Sequence, residues 1–174
     1  ITHNDDLLSI IIRADYKKDG IDFFTPDEFS QQLGYMNRPK DYIIPPHTHN
    51  LIERKVTFTQ EVLIIKSGKV RADFYDDDQN YIKSSLLFPG DVILLASGGH
   101  GFQMIEESEI IEVKQGPYCG ELDKVRFDPV PSKDIILTDQ IIFILLSFVL
   151  IPILISIPYY LSIYDIGLLN SYFE

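Results

Sequence analysis

Two histidines separated by one residue, His47 and His49, are the side chains of this sequence whose types and spacing suggest metal binding. If residues 42–49 form a strand, side chains two apart point to the same face, and both imidazoles would project into one pocket. Neutral imidazole nitrogens suit zinc, iron, copper and nickel. The pair could instead lie on the surface of a proline-rich loop, because Pro45 and Pro46 precede it. The pair alone leaves both interpretations open.

Two further groups could join these histidines. Glu61 directly precedes an apolar run, and a turn at Gly68 follows that run. Downstream, a turn at Pro89-Gly90 opens a second apolar run, and this run leads through a pair of glycines to His100. Three histidines and one carboxylate around a metal leave one or two positions for water or substrate, which is typical of catalytic sites.

With these residues the chain resembles the cupin superfamily over roughly residues 20–128. The first motif of that family has His-x-His, a Glu, six further residues and a Gly, and its second motif ends in a third His. Glu61 and Gly68 fit the six-residue spacing, and the segment around His100 resembles the loop that delivers the third histidine. The resemblance implies a jelly-roll β-barrel that holds a divalent transition metal (Fe, Zn, Mn or Ni). The implied ligands are His47, His49, Glu61 and His100.

A second carboxylate, Glu53, competes with Glu61 for the fourth position. Glu53 follows His49 at the short spacing usual in the family, but no glycine follows it at the matching distance. Glu61 comes later, after an insertion, and is followed by a predicted strand and a glycine turn. We therefore predict Glu61 as the ligand and keep Glu53 as the alternative.

Short β-type runs separated by Gly, Pro and Asp predict an all-β domain of the sandwich or barrel class. The predicted strands cover residues 7–14, 21–24, 42–49, 61–66, 70–75, 81–88, 92–96, 102–105 and 110–114. Thr25 and Pro26 predict the start of a short helix. The acidic residues 76–78 lack the spacing of a calcium loop, so we expect a solvated hairpin tip.

Charge is distributed unevenly along the chain. Residues 1–133 hold all 15 basic and 22 of the 26 acidic side chains, a net charge of −7, and the remainder carries −4. An acidic domain argues against nucleic-acid binding, which requires clustered basic side chains against phosphates. The single Cys119 excludes an internal disulfide and is interpreted as an incidental thiol.

The composition of the chain changes from mixed polar to apolar after a predicted linker at residues 129–139, whose first three residues include two prolines. The 25 residues 140–164 carry no charge and are rich in Ile, Leu and Phe, a length that would span a bilayer as a helix. Membrane helices tolerate the kinks expected at Pro152 and Pro158. Basic residues precede this run and none follows it, which predicts a β domain on the cytoplasmic side of the membrane. Residues 165–174 would be a truncated segment after the membrane.

Residues 134–174 also resemble a membrane segment of the Trk/Ktr-type potassium transporters. The similarity lies in a Pro-aromatic stretch at residues 157–162 and in Phe173-Glu174 at the end of the chain. In that family such residues precede a selectivity filter, which would lie beyond Glu174. The resemblance implies a fusion, or a chimeric fragment whose tail comes from a transporter.

These observations predict three possible functions. The first is a metal-dependent enzyme that acts on a small polar metabolite, with isomerase, lyase and oxygenase chemistry all open. The second is a non-catalytic module that binds a metal or small ligand, and the third is a structural domain with incidental histidines. A homodimer through the β domain is a further expectation. The predicted lining of the site comprises Phe58, Leu63, Ile65, Phe88, Phe102 and Met104, with Tyr42 and Gln103 as polar contacts.

Overall fold

The structure is a computed structural model that describes residues 1–138, and almost all regular structure in this range is β-strand. The strands are β1 Thr2–His3, β2 Asp6–Leu7, β3 Ser9–Ile12, β4 Gly20–Phe23, β5 Gly34–Asn37, β6 Glu61–Ser67, β7 Val70–Tyr75, β8 Tyr81–Leu87, β9 Val92–Leu95, β10 Gly99–Met104 and β11 Glu109–Lys114. Two single-turn 3₁₀ helices, Gly120–Asp123 and Ser132–Asp134, follow the last strand. The predicted all-β class is confirmed.

Two antiparallel sheets contain most of the strand residues in this part of the chain. A four-stranded sheet has the order β11-β6-β9-β3, and a three-stranded sheet has the order β10-β7-β8. The hairpins β1-β2 and β4-β5 are separate two-stranded sheets. Within residues 1–138 both larger sheets are open, and no ladder of hydrogen bonds closes them into a barrel.

The core consists of apolar side chains that both sheets contribute. On β6 and β7 alternate residues face inward, as the two-residue period of a strand requires. The buried cluster contains Leu8, Leu63, Ile65, Val70, Ala72, Phe74, Leu87, Ile93 and Leu95. Each large member contributes about 1.5–3 kcal/mol through removal of its side chain from water. The two sheets therefore share one interior.

A buried carboxylate holds the turn between β8 and β9. Asp91 accepts hydrogen bonds from the guanidinium of Arg13 at 2.8 Å and from the backbone N–H groups of Ala14 and Phe88 at 2.9 and 3.0 Å. Gly90 adopts a φ of +89°, and a Cβ atom there would lie 2.8 Å from the Cβ of Ala14. This tight turn fixes β9 against β6, the strand that begins with Glu61.

The expected strand at residues 42–49 is not formed. Residues 38–60 contain no strand, and the side chains of residues 36–59 are exposed. Pro45 and Pro46 have no backbone N–H to donate to a ladder, which weakens strand pairing in this segment. The expected helix after Thr25 is also absent, because the Thr25 hydroxyl instead accepts from the backbone N–H of Leu33 and closes a loop.

The chain after β11 contacts the three-stranded sheet at Tyr75 and at the edge strand β8. The hydroxyl of Tyr75 accepts from the N–H of Val130 at 3.0 Å, and the N–H of Ser84 donates to the carbonyl of Ile136 at 2.8 Å. The compact unit that contains the β domain extends from Ile1 to Ile136. Among the described residues no helix is long and apolar enough to cross a membrane. The predicted membrane helix at 140–164 and the segment 165–174 lie outside the described residues.

Candidate functional site

Glu61, His100 and Lys114 meet at one end of the interior because the strand registers direct all three side chains inward. Glu61 lies two residues before the core residue Leu63 and therefore shares its face. Lys114 is directly opposite Glu61 in the β11–β6 ladder, and His100 is directly opposite the core residue Phe74 in the β10–β7 ladder. Residues directly opposite each other in an antiparallel pair project to the same side.

The carboxylate of Glu61 is the centre of this group. Its Oε2 lies 3.2 Å from Nε2 of His100, and its Oε1 lies 3.3 Å from Nζ of Lys114. The same ammonium lies 2.5 Å from Oδ2 of Asp123, which belongs to the first 3₁₀ helix. A series of polar contacts thus connects both sheets and the segment that follows them.

Contacts with positive or hydrogen-bonding partners keep Glu61 ionised. The hydrogen bond with His100 is the largest cause that lowers the pKa of Glu61 from 4.5 to about 2, and Lys114 acts in the same direction against the effect of burial. Asp123 is the main cause of a raised pKa for Lys114. At neutral pH the site therefore presents a fixed carboxylate and a fixed ammonium side by side.

A cavity of about 690 Å³ opens at this group. It lies along β10 and is lined in part by residues from the segment 124–132. Its lining includes Glu61, His100, Phe102, Gln103, Lys124 and Arg126. This volume lies within the range of small-molecule sites, and its walls combine an aromatic ring with charged and amide groups.

His47 and His49 lie in the exposed segment, where their rings are 5.2 Å apart between centroids at an interplanar angle of 78°. Nδ1 of His47 donates to the carbonyl of Pro45 at 3.1 Å. Because a carbonyl can only accept, this bond leaves Nε2 of His47 as the nitrogen that can bind another partner. Glu53, the alternative ligand, is exposed in the same segment.

The donor geometry can be tested against a metal ion. Two donors about 2.1 Å from a tetrahedral metal lie about 3.4 Å apart, and two such imidazole rings have centroids about 5 Å apart. The separation of Glu61 from His100, 3.2 Å, is close to the first of these values, and the centroid separation of His47 and His49, 5.2 Å, is close to the second. In residues 1–138, however, no three His, Cys, Asp or Glu side chains are grouped to hold a metal. The four predicted ligands thus form two separate pairs.

Two residues of the site were not identified from the sequence. Lys114 could have been found from the pairing of β11 with β6, because a strand that ends beside the start of β6 places its last side chain next to Glu61. Asp123 had no such signal, because its position depends on a single turn of 3₁₀ helix in an irregular segment.

The predicted lining is only partly observed at the cavity. Leu63 and Ile65 belong to the core, and Phe102 and Gln103 line the cavity. The other predicted members are largely exposed: Tyr42, Phe58, Phe88 and Met104.

Comparison of the chain with protein-family models, curated proteins and solved structures gives no match. The function must therefore be argued from the geometry and chemistry of the site.

Proposed function

We propose that the β domain binds a divalent transition metal through Glu61 and His100, and that His47 and His49 complete the coordination. The observation that carries this proposal is the contact between Glu61 and His100 inside the domain, at 3.2 Å and beside a cavity of about 690 Å³. An ionised carboxylate next to an imidazole is a common pair of metal ligands.

The strand order supports a cupin-type jelly roll as the fold that surrounds this site. From β8 to β11 consecutive strands alternate between the two sheets, and β10 and β11 run beside β7 and β6 respectively. Alternation of consecutive strands between two sheets is typical of jelly rolls, which have eight strands in two sheets. In such a fold one further strand would pair with β10 and complete the three-stranded sheet.

The exposed segment is the part of the chain that could supply this strand. Within residues 1–138, β10 pairs with β7 alone, so one edge of β10 is open to a further strand. Residues 47–52 follow the two prolines and retain their backbone N–H groups. If residues 47–52 paired with β10 in a suitable register, the side chains of His47 and His49 would both face inward beside His100, because alternate residues of a strand share a face.

The proposed ligand is a small polar metabolite that enters the cavity along β10. A bound metal would supply Lewis-acid chemistry, or dioxygen chemistry if it is iron. Glu61 would fix the charge of the site, Phe102 would exclude water from one wall, and Gln103 would offer an amide to the ligand. Isomerase, lyase and oxygenase activities are all compatible with this arrangement, and the substrate is not assigned.

A non-catalytic ligand-binding module is the second candidate function. Residues 124–132 line the cavity, and the chain that contains them continues towards the apolar residues 140–164. A ligand in the cavity would therefore contact the segment that leads to the tail. The predicted membrane association, cytoplasmic location and homodimer belong to this proposal as expectations.

Metal content is the experiment that tests the proposal. The purified chain, dialysed against Zn²⁺ or Mn²⁺, should retain about one equivalent of metal, measured by elemental analysis. The double variant His47→Ala/His49→Ala should lose most of it. His3→Ala is the control, because His3 is a partly exposed histidine of β1 that lies outside the proposed site, and its side chain is hydrogen bonded to Asn4. Less than about a tenth of an equivalent in the unaltered chain would contradict the proposal.

A further inference from the structure

The ammonium of Lys114 lies between two carboxylates that belong to different parts of the chain. It is 3.3 Å from Oε1 of Glu61 and 2.5 Å from Oδ2 of Asp123. The other oxygen of Glu61 faces His100. In this arrangement Lys114 already neutralises the carboxylate that the proposed metal site requires.

We propose that Lys114 is an internal counter-ion that competes with the metal for Glu61 and withdraws to Asp123 when the metal binds. This inference rests on the proposed metal site and adds a control on its affinity. Lys114 sets how tightly the metal is held, and Asp123 determines how readily Lys114 leaves.

The distances require such competition. A metal about 2 Å from an oxygen of Glu61 would lie within roughly 4–6 Å of an ammonium that contacts the same carboxylate. Two cations at this separation repel each other, and the repulsion is strong where water is scarce. The side chains of Glu61, Lys114 and Asp123 are 10%, 21% and 7% exposed, so solvent screens these charges less than it screens charges on the exposed surface.

Asp123 provides the position to which the ammonium can withdraw. The backbone of Lys114 is fixed opposite Glu61 by the β11–β6 ladder, so any movement is confined to its long side chain. The shorter of its two carboxylate contacts is already with Asp123. The ring of Tyr118, whose centroid lies 6.0 Å from the ammonium, offers a further favourable contact for the cation. Release from Glu61 therefore leaves Lys114 paired.

A second lysine on the same ladder provides a matched control. Lys66 pairs with Glu109 between the same two strands at the same 3.3 Å distance, but these side chains are 50% and 69% exposed. Lys66→Met removes an equal charge from the same sheet without altering the site. Any general effect of net charge on metal binding would appear equally in this variant.

The test is the metal affinity of the full chain, measured by calorimetric titration with Zn²⁺ or Mn²⁺. Lys114→Met should bind about tenfold more tightly than the unaltered chain, because the competing charge is gone. Asp123→Asn should bind about tenfold more weakly, because Lys114 then has Glu61 as its remaining carboxylate partner in the site. Lys66→Met should remain within about twofold.

Opposite shifts in the two variants separate competition from simple loss of structure, which would weaken binding in both. Equal or weaker binding by Lys114→Met, together with measurable binding by the unaltered chain, would overturn the inference and leave the metal site intact. Binding by Lys114→Met alone would support the inference. No binding by any variant would overturn both the metal site and the role of Lys114.

Discussion

Glu61 is the residue whose carboxylate contacts side chains from both sheets. Its histidine partner comes from β10 of the three-stranded sheet, and its lysine partner comes from β11 of the four-stranded sheet. The side chain of Glu61 is only 10% exposed, so removal of its charge would leave an imidazole and an ammonium without a shared partner in a partly buried site. Its proposed role in metal binding and its role in stability can be measured separately.

Exchange of each candidate carboxylate for an amide should distinguish Glu61 from Glu53. Glu61→Gln should lower metal affinity by about 10- to 100-fold, because an amide is a weaker ligand and carries no charge. Glu53→Gln should change affinity by less than about twofold. Titration calorimetry of both variants measures the difference. The reverse order of effects would show that the short spacing after His49 defines the ligand.

Stability should depend on pH through Glu61. Its pKa is about 2 in the folded chain against an ordinary value of 4.5, so the unfolded state binds more protons between these values. The stabilising contribution, at most about 3 kcal/mol, is complete above roughly pH 5 and is lost as the pH falls towards 2. Urea denaturation from pH 6 to pH 2.5 measures it. Glu61→Gln should flatten this part of the profile, and an unchanged slope would contradict the assignment.

At the scale of elements, the sequence predicted the strands that are bounded by the clearest turn residues. The predicted ranges 61–66, 70–75 and 92–96 correspond to β6, β7 and β9, each bounded by a Gly, Pro or Asp turn. The predicted range 102–105 was too short, because β10 begins at Gly99 and contains His100. Glycine pairs resemble loops in sequence, yet pairing with β7 orders Gly99 as part of a ladder, and only Gly98 remains in the bend before it.

The turn at Asp91 should be an important element of stability. Asp91→Ala would leave the guanidinium of Arg13 without this carboxylate and two backbone N–H groups without their acceptor. We expect a loss of about 3 kcal/mol in the free energy of unfolding, measured in urea. Glu109→Ala removes an exposed carboxylate of the same sheet and should cost less than about 0.5 kcal/mol. Equal losses would contradict this role of Asp91.

At the scale of the whole molecule, the β domain extends further than the composition indicated. The predicted linker begins at residue 129, but Val130 and Ile136 are hydrogen bonded to the three-stranded sheet. Ile136 also receives a contact from Tyr81, whose hydroxyl accepts from its N–H at 2.9 Å. A shortened chain intended to keep the domain intact should therefore end after Thr138.

The predicted membrane segment can be tested with such a pair of chains. The full chain expressed in bacteria should sediment with the membrane fraction and be released by detergent, because residues 140–164 carry no charge. The chain that ends at Thr138 should remain in the soluble fraction. Immunoblots of both fractions measure the distribution. A full chain that stays soluble as a monomer would show that the apolar residues do not enter the bilayer.

The sequence by itself determined the all-β class, most strand positions and the candidate donors. These depend on local properties, namely the two-residue period of apolar side chains, the turn residues between them and the chemistry of His and Glu. Glu61 and His100 were selected as partners from such properties and from resemblance to the cupin superfamily, and the structure places them in contact.

Only the tertiary structure decided which groups surround Glu61 and where the histidine pair lies. The contact with Lys114 depends on a register between strands that are 53 residues apart at that point, and the contact with Asp123 depends on the path of an irregular segment. The exposed position of His47 and His49 follows from competition between strand pairing and two prolines that cannot donate hydrogen bonds. Such long-range pairings are set by the free energy of the whole fold, which no local pattern encodes.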